Sequence, residues 1–256
     1  MSSAAHRPRP ERIGDLLAAM DARLSSLPAE HAGLRDFLAT YRRTTAAVGD
    51  AIAAGSFADP GWVERWDLAF AGFYLDALDA QLDLGPTVPP RPWRLAFDAS
   101  PRLAPLLNVL LGVNAHINYD LPQALLAVIS DAEFDDPELL ARRRSDHQRI
   151  DTILSGRVAA EDEDLATHSA RTLLDRALRP VNRWASRRFL RESRERVWLN
   201  TIELWRARSR SEADYRARLD ELEVLTAARV SDLLASGQVL LRLAITGFGV
   251  TLPPPR

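Results

Sequence analysis

Apolar residues in this chain recur every three or four positions, and nowhere do they alternate with β-branched and polar residues over a strand's length. Leu16, Leu17, Met20 and Leu24 make one such stripe; Leu103, Leu106, Leu107, Leu110 and Leu111 make another. A period near 3.6 buries one face of a helix, whereas a half-buried strand needs a period of two. The chain is therefore expected to be all-α. Pro and Gly punctuate it. Pro28 and Gly55 end helices, and Asp59-Pro60 begins one, because Asp caps orphan N–H groups and Pro suits the first helical turn. Pro86, Pro89, Pro90 and Pro92 make a stiff loop, since each lacks the N–H that a helix or central strand needs.

Helices are expected over about 13–27, 29–54, 61–84, 93–97, 100–130, 138–154, 162–178, 181–207 and 212–243. No linker forces two domains and no repeat stands out, so about eight helices around one core is the simplest architecture. Residues 1–11 read as a disordered tail, 12–247 as the domain and 248–256 as a frayed tail. With 46% hydrophobic residues there is material for a sizeable core.

Composition closes several routes to function. The chain has no Cys, so disulfides, thiolate metal sites and a Cys nucleophile are excluded. Every basic side chain is Arg; without Lys there is no Schiff base and no phosphate-binding lysine. Arg-only usage with abundant Ala and Leu points to a GC-rich bacterial genome. A net charge of −2 gives no general pull toward nucleic acid. Gly-x-Ser-x-Gly, Gly-x-Gly-x-x-Gly and P-loop patterns are missing. Residues 1–10 have no apolar signal region, and the apolar run from Val239 to Val250 is short and broken by Arg242. A cytoplasmic location without a membrane span is expected.

One segment is hard to explain as scaffold. Asn114, His116, Asn118, Tyr119 and Asp120 fall inside an otherwise apolar helix, followed at once by Pro122. Asn114 and Asn118 continue the stripe of Leu107, Leu111 and Leu121. His116 and Asp120 stand four apart on an adjacent face. Pro122 removes the hydrogen bond to the Asn118 carbonyl and should kink the helix. Buried polar groups cost about 1–3 kcal/mol each when unpaired, so these must meet protein, water, metal or ligand. A satisfied network that fixes helix register is the plain reading; a functional pocket is the other.

His147 and Asp151 repeat the His-x-x-x-Asp spacing, and His147 shares a stripe with Leu140, Ile150 and Leu154. Two such pairs on neighbouring helices could offer His116, Asp120, His147 and Asp151 to one Zn, Mn or Fe ion. The pattern is neither the Glu-x-x-His of di-iron bundles nor the His-Glu-x-x-His of zincins. Without metal, His116 oriented by Asp120 could act as a general base. Asp67 falls among Val63, Phe70 and Tyr74 and could face the same pocket. The simpler expectation sets it at a boundary with an Arg partner.

Asp131, Glu133, Asp135 and Asp136 resemble the Asp-rich magnesium motifs of all-α terpene synthases. An Arg-rich stretch follows, with 12 Arg against 4 acids from Arg171 to Arg210, and Arg183, Arg187, Arg191 and Arg194 on one stripe. Together they could hold a diphosphate. The Asp spacing is wrong for that motif and Pro137 follows, so a capped turn is the better reading. Trp184, Trp198 and Trp205 sit at near-helical spacing, which suits core more than base stacking.

Leu110-Leu111-Gly112 with the stretch Asn114 to Leu121, Trp62 and Phe70, the run Tyr74 to Leu78, and Arg196-Val197-Trp198 together resemble the actinobacterial domain-of-unknown-function family 5995, over about Phe57 to Leu234. The resemblance implies a helical domain and carries no assigned reaction. The functional expectation is an enzyme. Its pocket would place Asn114, His116 and Asp120 at the chemistry, with Asn118, Tyr119 and Asp67 on the ligand. The reaction would be hydrolytic or lyase-type on a small, partly apolar substrate. The alternatives are a non-catalytic helical module that binds a small ligand or merely specifies its core, and magnesium-dependent diphosphate chemistry.

Overall fold

A computed structural model describes residues 9–84, 87–100, 102–150, 153, 173–235 and 247–255, with the side chains of Ala29 and of 173–191 outside that set. The described residues are mostly helical and include no strand. The helices are α1 (Ile13–Ser26), α2 (Ala32–Ala53), α3 (Pro60–Gln81), α4 (Arg91–Phe97), α5 (Pro105–Ala115), α6 (Leu121–Val128) and α7 (Asp131–Asp135). Then come α8 over 137–150, α9 (Leu173–Arg210) and α10 (Glu212–Leu234). None of them is long and apolar enough to cross a membrane.

Local chemistry sets these boundaries. The Asp59 side chain accepts from Trp62 N at 2.9 Å, with Pro60 in the first turn of α3. Ser130 and Glu133 form a reciprocal capping box on α7, so the stretch expected as a capped turn is a short capped helix. The apolar helix expected from Ser100-Pro101 starts instead at Pro105. Had it begun four residues earlier, Pro105 would lie in its interior, lacking a donor and clashing with the carbonyl one turn back.

α5 and α6 form a central rod joined through residues 116–120, and α2, α3, α4, α9 and α10 pack around it. The apolar interior has two lobes. One gathers Trp62, Trp66, Leu121, Leu125, Val197, Leu204 and Leu222. The other gathers Leu16, Met20, Phe37, Leu38, Tyr74, Leu78, Trp93 and Leu111. Phe70 and Val113 pack against both. Gly112 lets α5 approach α2: a Cβ there would lie 2.4 Å from Phe37 Cδ2. Arg23 and Asp79, both largely buried, tie α1 to α3 through two bonds of 2.9 and 2.6 Å.

The C-terminal tail, expected to fray from 248, is docked instead. Phe248, Val250 and Leu252 are buried, and their backbone is held by side chains from the helices. Three alternating apolar residues supply the burial that a frayed tail lacks. Residues 236–246, where the last helix was expected to run on to 243, lie outside the described set, as do residues 1–8 of the expected tail.

Candidate active site at His116

The interruption expected at Pro122 takes the form of a π turn. Residues His116–Asp120 form a π-helical turn, with the Leu121 N–H reaching back five residues to the His116 carbonyl. A π turn adds one residue before the proline, and the rod passes Pro122 while re-aiming the side chains around it. Amide side chains cover the loosened carbonyls: Asn118 Nδ2 donates to Asn114 O at 3.1 Å and Gln123 Nε2 to Tyr119 O at 2.8 Å.

His116 Nδ1 meets Asp120 Oδ2 at 2.8 Å, and Trp93 Nε1 donates to that same oxygen at 2.8 Å. Both partners are sealed, with side chains 4% and 2% exposed. Burial pushes the His116 imidazole well below its ordinary value and the Asp120 carboxyl well above its own, and the Trp93 bond opposes the latter. With Asp120 ionised, Nδ1–H donates and Nε2 carries a lone pair. With one more proton on the pair, Nε2 becomes N–H. Gain or loss of one proton by the pair would thus change the state of Nε2, which has no partner.

The imidazole stacks on Phe70 at 3.6 Å between centroids and 6° between planes, with Tyr41 edge-on at 4.7 Å. Trp93, Tyr74 and Phe37 complete the shell at 5.7, 5.9 and 6.1 Å. The Tyr74 hydroxyl is buried without a hydrogen-bond partner, and so is Asp67 Oδ2, while the Tyr41 hydroxyl has Thr45 beside it, one turn on in α2. Asp67, Phe70 and Tyr74 share one face of α3. Asp67 is buried and not at a boundary, and no Arg pairs with that oxygen. Burial, helped by the charge of Glu64, pushes its carboxyl up to about 7. Burial raises Tyr41 well above its ordinary value, and the charges of Asp67 and Asp120 add to this.

The other expected site residues go elsewhere. Asn114 Nδ2 and Asn118 Nδ2 both donate to Phe248 O at 3.1 Å, so this face of the rod holds the tail. Asn114 Oδ1 alone stays unpartnered. Tyr119 is buried, and besides Asp120 the charges that reach it, Glu223, Tyr215 and Asp220, come from α10.

His147 is buried in a separate nest between Trp66 (5.4 Å) and Trp198 (5.6 Å), and Arg194 donates to its carbonyl. The two imidazoles share no ring neighbour among the described residues. Burial and the nearby Arg194 and Arg144 charges push His147 well below its ordinary value, and its Nε2 has no partner. Asp151 lies outside the described residues. Among those described, no three His, Cys, Asp or Glu side chains converge on a metal position. The carboxylate that does pair locally is Asp146, which accepts from Ala58 N and Asp59 N at 2.8 and 2.9 Å.

The acidic turn is engaged within the protein: Asp131 pairs with Arg208 at 2.7 Å and Glu133 with Arg143 at 2.6 Å. The side chains of Arg183, Arg187 and Arg191 lie outside the described set, while Arg194 is buried.

Trp93 and Tyr41 carry the site's polar shell and were missed from sequence. Trp93 falls in the short helix expected over 93–97, but nothing in the sequence brings that helix to Asp120, 27 residues away. Tyr41 follows Phe37 by four positions, which reads as ordinary core.

No curated protein and no solved structure matches this chain. The model of the family of unknown function DUF5995 matches residues 13–236, reaching α1 and α2 ahead of the Phe57 start read from sequence and so including Phe37 and Tyr41. The chain belongs to that family.

Proposed function

We propose that this chain is an enzyme in which the His116–Asp120 pair performs general acid–base chemistry on a small, partly apolar substrate. The observation that supports this is His116 Nε2, buried without a partner inside an aromatic shell, with Asp67 Oδ2, also buried and unpartnered, on the face of α3 that carries Phe70. Each costs about 1–3 kcal/mol as a core group, a debt that a site for chemistry explains better than one for stability. In a hydrolytic or lyase-type reaction, His116 Nε2 takes the proton from water or from carbon. Asp120 holds the ring and stabilises the imidazolium, as orienting carboxylates do. A tyrosine hydroxyl donates to the developing oxyanion. Asp67, protonated for part of the time near neutral pH, returns a proton to the leaving group.

The test is a screen of small esters, amides and hydroxy acids with wild type and His116→Gln. A turnover that falls on the order of a hundredfold or more in the variant, with the helical circular dichroism unchanged, supports the reading. Turnover indifferent to His116 sinks it.

The second reading, a non-catalytic core network, is favoured by the closure of the pair at 4% and 2% exposure. Carbethoxylation of Nε2 separates the two: a site that opens to substrate lets His116 react with diethyl pyrocarbonate in the folded chain, and a structural network does not.

A further inference from the structure

The C-terminal segment is bound in a way unlike the rest of the fold. It is extended, and its backbone pairs with side-chain amides. Asn118 is bidentate: Nδ2 donates to Phe248 O and Oδ1 accepts from Val250 N, both at 3.1 Å. Asn200 repeats the arrangement two residues on, donating to Val250 O at 3.0 Å and accepting from Leu252 N at 2.9 Å. Each carboxamide takes the place that a neighbouring strand's peptide group would occupy, so two helices together present a surrogate sheet edge.

The remaining contacts extend this ladder. Arg196 donates to Gly249 O at 2.6 Å and Arg218 to Pro253 O at 2.6 Å. Phe248, Val250 and Leu252 are buried, whereas Thr251 is exposed. Gly249 is needed for the close approach: a Cβ there would lie 2.9 Å from Arg196 Cδ and 3.0 Å from Ser193 Cα. Main-chain bonds supply the grip and alternate apolar side chains supply the selectivity, which is how an added strand is recognised.

We propose that the groove formed by Asn114 and Asn118 on the central rod, Arg196 and Asn200 on α9 and Arg218 on α10 is a binding site for an extended peptide of the type Phe-Gly-Val-x-Leu-Pro. Its resident ligand is the chain's own C-terminal segment, held as a peptide that a free copy of the same sequence displaces. This site lies on the Asn114–Asn118 face of the rod and is independent of the chemistry assigned to His116.

The test uses the full chain, labelled with ¹⁵N, and an unlabelled synthetic peptide spanning Gly247–Arg256. Hydrogen exchange is followed at the amides of Val250 and Leu252. A tethered segment competes at an effective concentration on the order of millimolar, so peptide is added to several times that level. Leu252→Ala, which weakens the resident segment, is run beside wild type. If circular dichroism shows that this variant is not helical, wild type alone decides. The expected result is a saturable loss of protection at both amides, about tenfold or more, with the helical core unchanged. Peptide N-methylated at the Val250 and Leu252 positions should not compete. Peptide N-methylated at the Thr251 position, whose N–H makes none of these bonds, should compete as well as the parent. No displacement by the parent peptide overturns the proposal, and so does equal competition by the doubly N-methylated one.

Discussion

Trp93 and His116 meet on one oxygen of Asp120, each at 2.8 Å. An indole N–H can only donate, so Trp93 fixes Oδ2 as an acceptor and helps hold the carboxyl in its ionised form against burial. Trp93→Phe removes that donor while keeping an aromatic ring. Asp120 should then become harder to ionise, and the acid limb of any His116-dependent activity should move to higher pH. Asp120→Asn goes further. Its carbonyl can serve Trp93, but its amide then donates to Nδ1 and forces the proton onto Nε2. We expect loss of activity on the order of a thousandfold or more with little change in fold, as for other orienting carboxylates. A pH–rate profile and circular dichroism on both variants check this.

Asp67 should make stability depend on pH in an identifiable direction. Its carboxyl is pushed up to about 7, whereas in the unfolded chain it ionises near the ordinary value of 3.8. Between these limits the folded chain holds a proton that the unfolded chain has lost. The stability tied to Asp67 is therefore fully present below about pH 4 and lost as pH rises to about 7, in total on the order of 4 kcal/mol. Asp67→Asn does not titrate. Relative to wild type, its urea midpoint should rise steadily from pH 4 to pH 7 and then level off. A constant difference across that range would contradict the assignment.

His147 acts with the opposite sign. Burial and the nearby arginines hold its imidazole well below its ordinary value. Below about pH 6.5 the unfolded chain takes up a proton there that the folded chain refuses. Its contribution is present above that pH and falls as pH drops, by about 1.4 kcal/mol per pH unit until its folded-state value is reached. His147→Phe should be less sensitive to acid than wild type in matched denaturant titrations at pH 5 and pH 7. His147→Phe should leave chemistry at His116 unchanged, because the two imidazoles sit in separate aromatic nests. A shared loss of activity would instead tie the two histidines to one site.

The helical class and the polar turn were legible because they are periodic. Residues 114–120 break an apolar stripe, and burial turns such a break into an energetic question that needs no coordinates. What periodicity could not reveal was how the turn divides. Four polar side chains within two turns suggested one pocket, but a turn buried on all sides has two faces to fill. His116 and Asp120 face α3 and α4, whereas Asn114 and Asn118 face the tail. The π turn was hidden for a related reason: Pro122 signals a lost hydrogen bond, and a kink and an added residue both answer that loss. The tail was misread because Phe248, Val250 and Leu252 alternate over too few residues to register as an element, and their partners Asn118 and Asn200 lie far away in sequence.

Gly112 sets the distance between the rod and the helix that carries Phe37 and Tyr41. A Cβ at this position would stand 2.4 Å from Phe37 Cδ2 and 2.5 Å from Phe37 Cγ, inside the contact distance of any real pair of carbons. Phe37 cannot simply turn away, because its ring is packed against Tyr74 at 4.9 Å and Trp93 at 5.5 Å. Gly112→Ala should therefore push α2 off the rod and cost about 1–3 kcal/mol, despite the higher helix propensity of Ala. The displaced rings surround His116, so the same change should also perturb the pair's proton exchange. Phe37→Leu alone should cost about 1–2 kcal/mol as a truncation within the aromatic lobe. In the double variant the smaller side chain admits the new methyl group. The combined loss should then be smaller than the sum of the two single losses, by about 1 kcal/mol or more. Urea denaturation of the four chains measures that coupling. Strict additivity would mean that the contact between α2 and the rod is not what Gly112 protects.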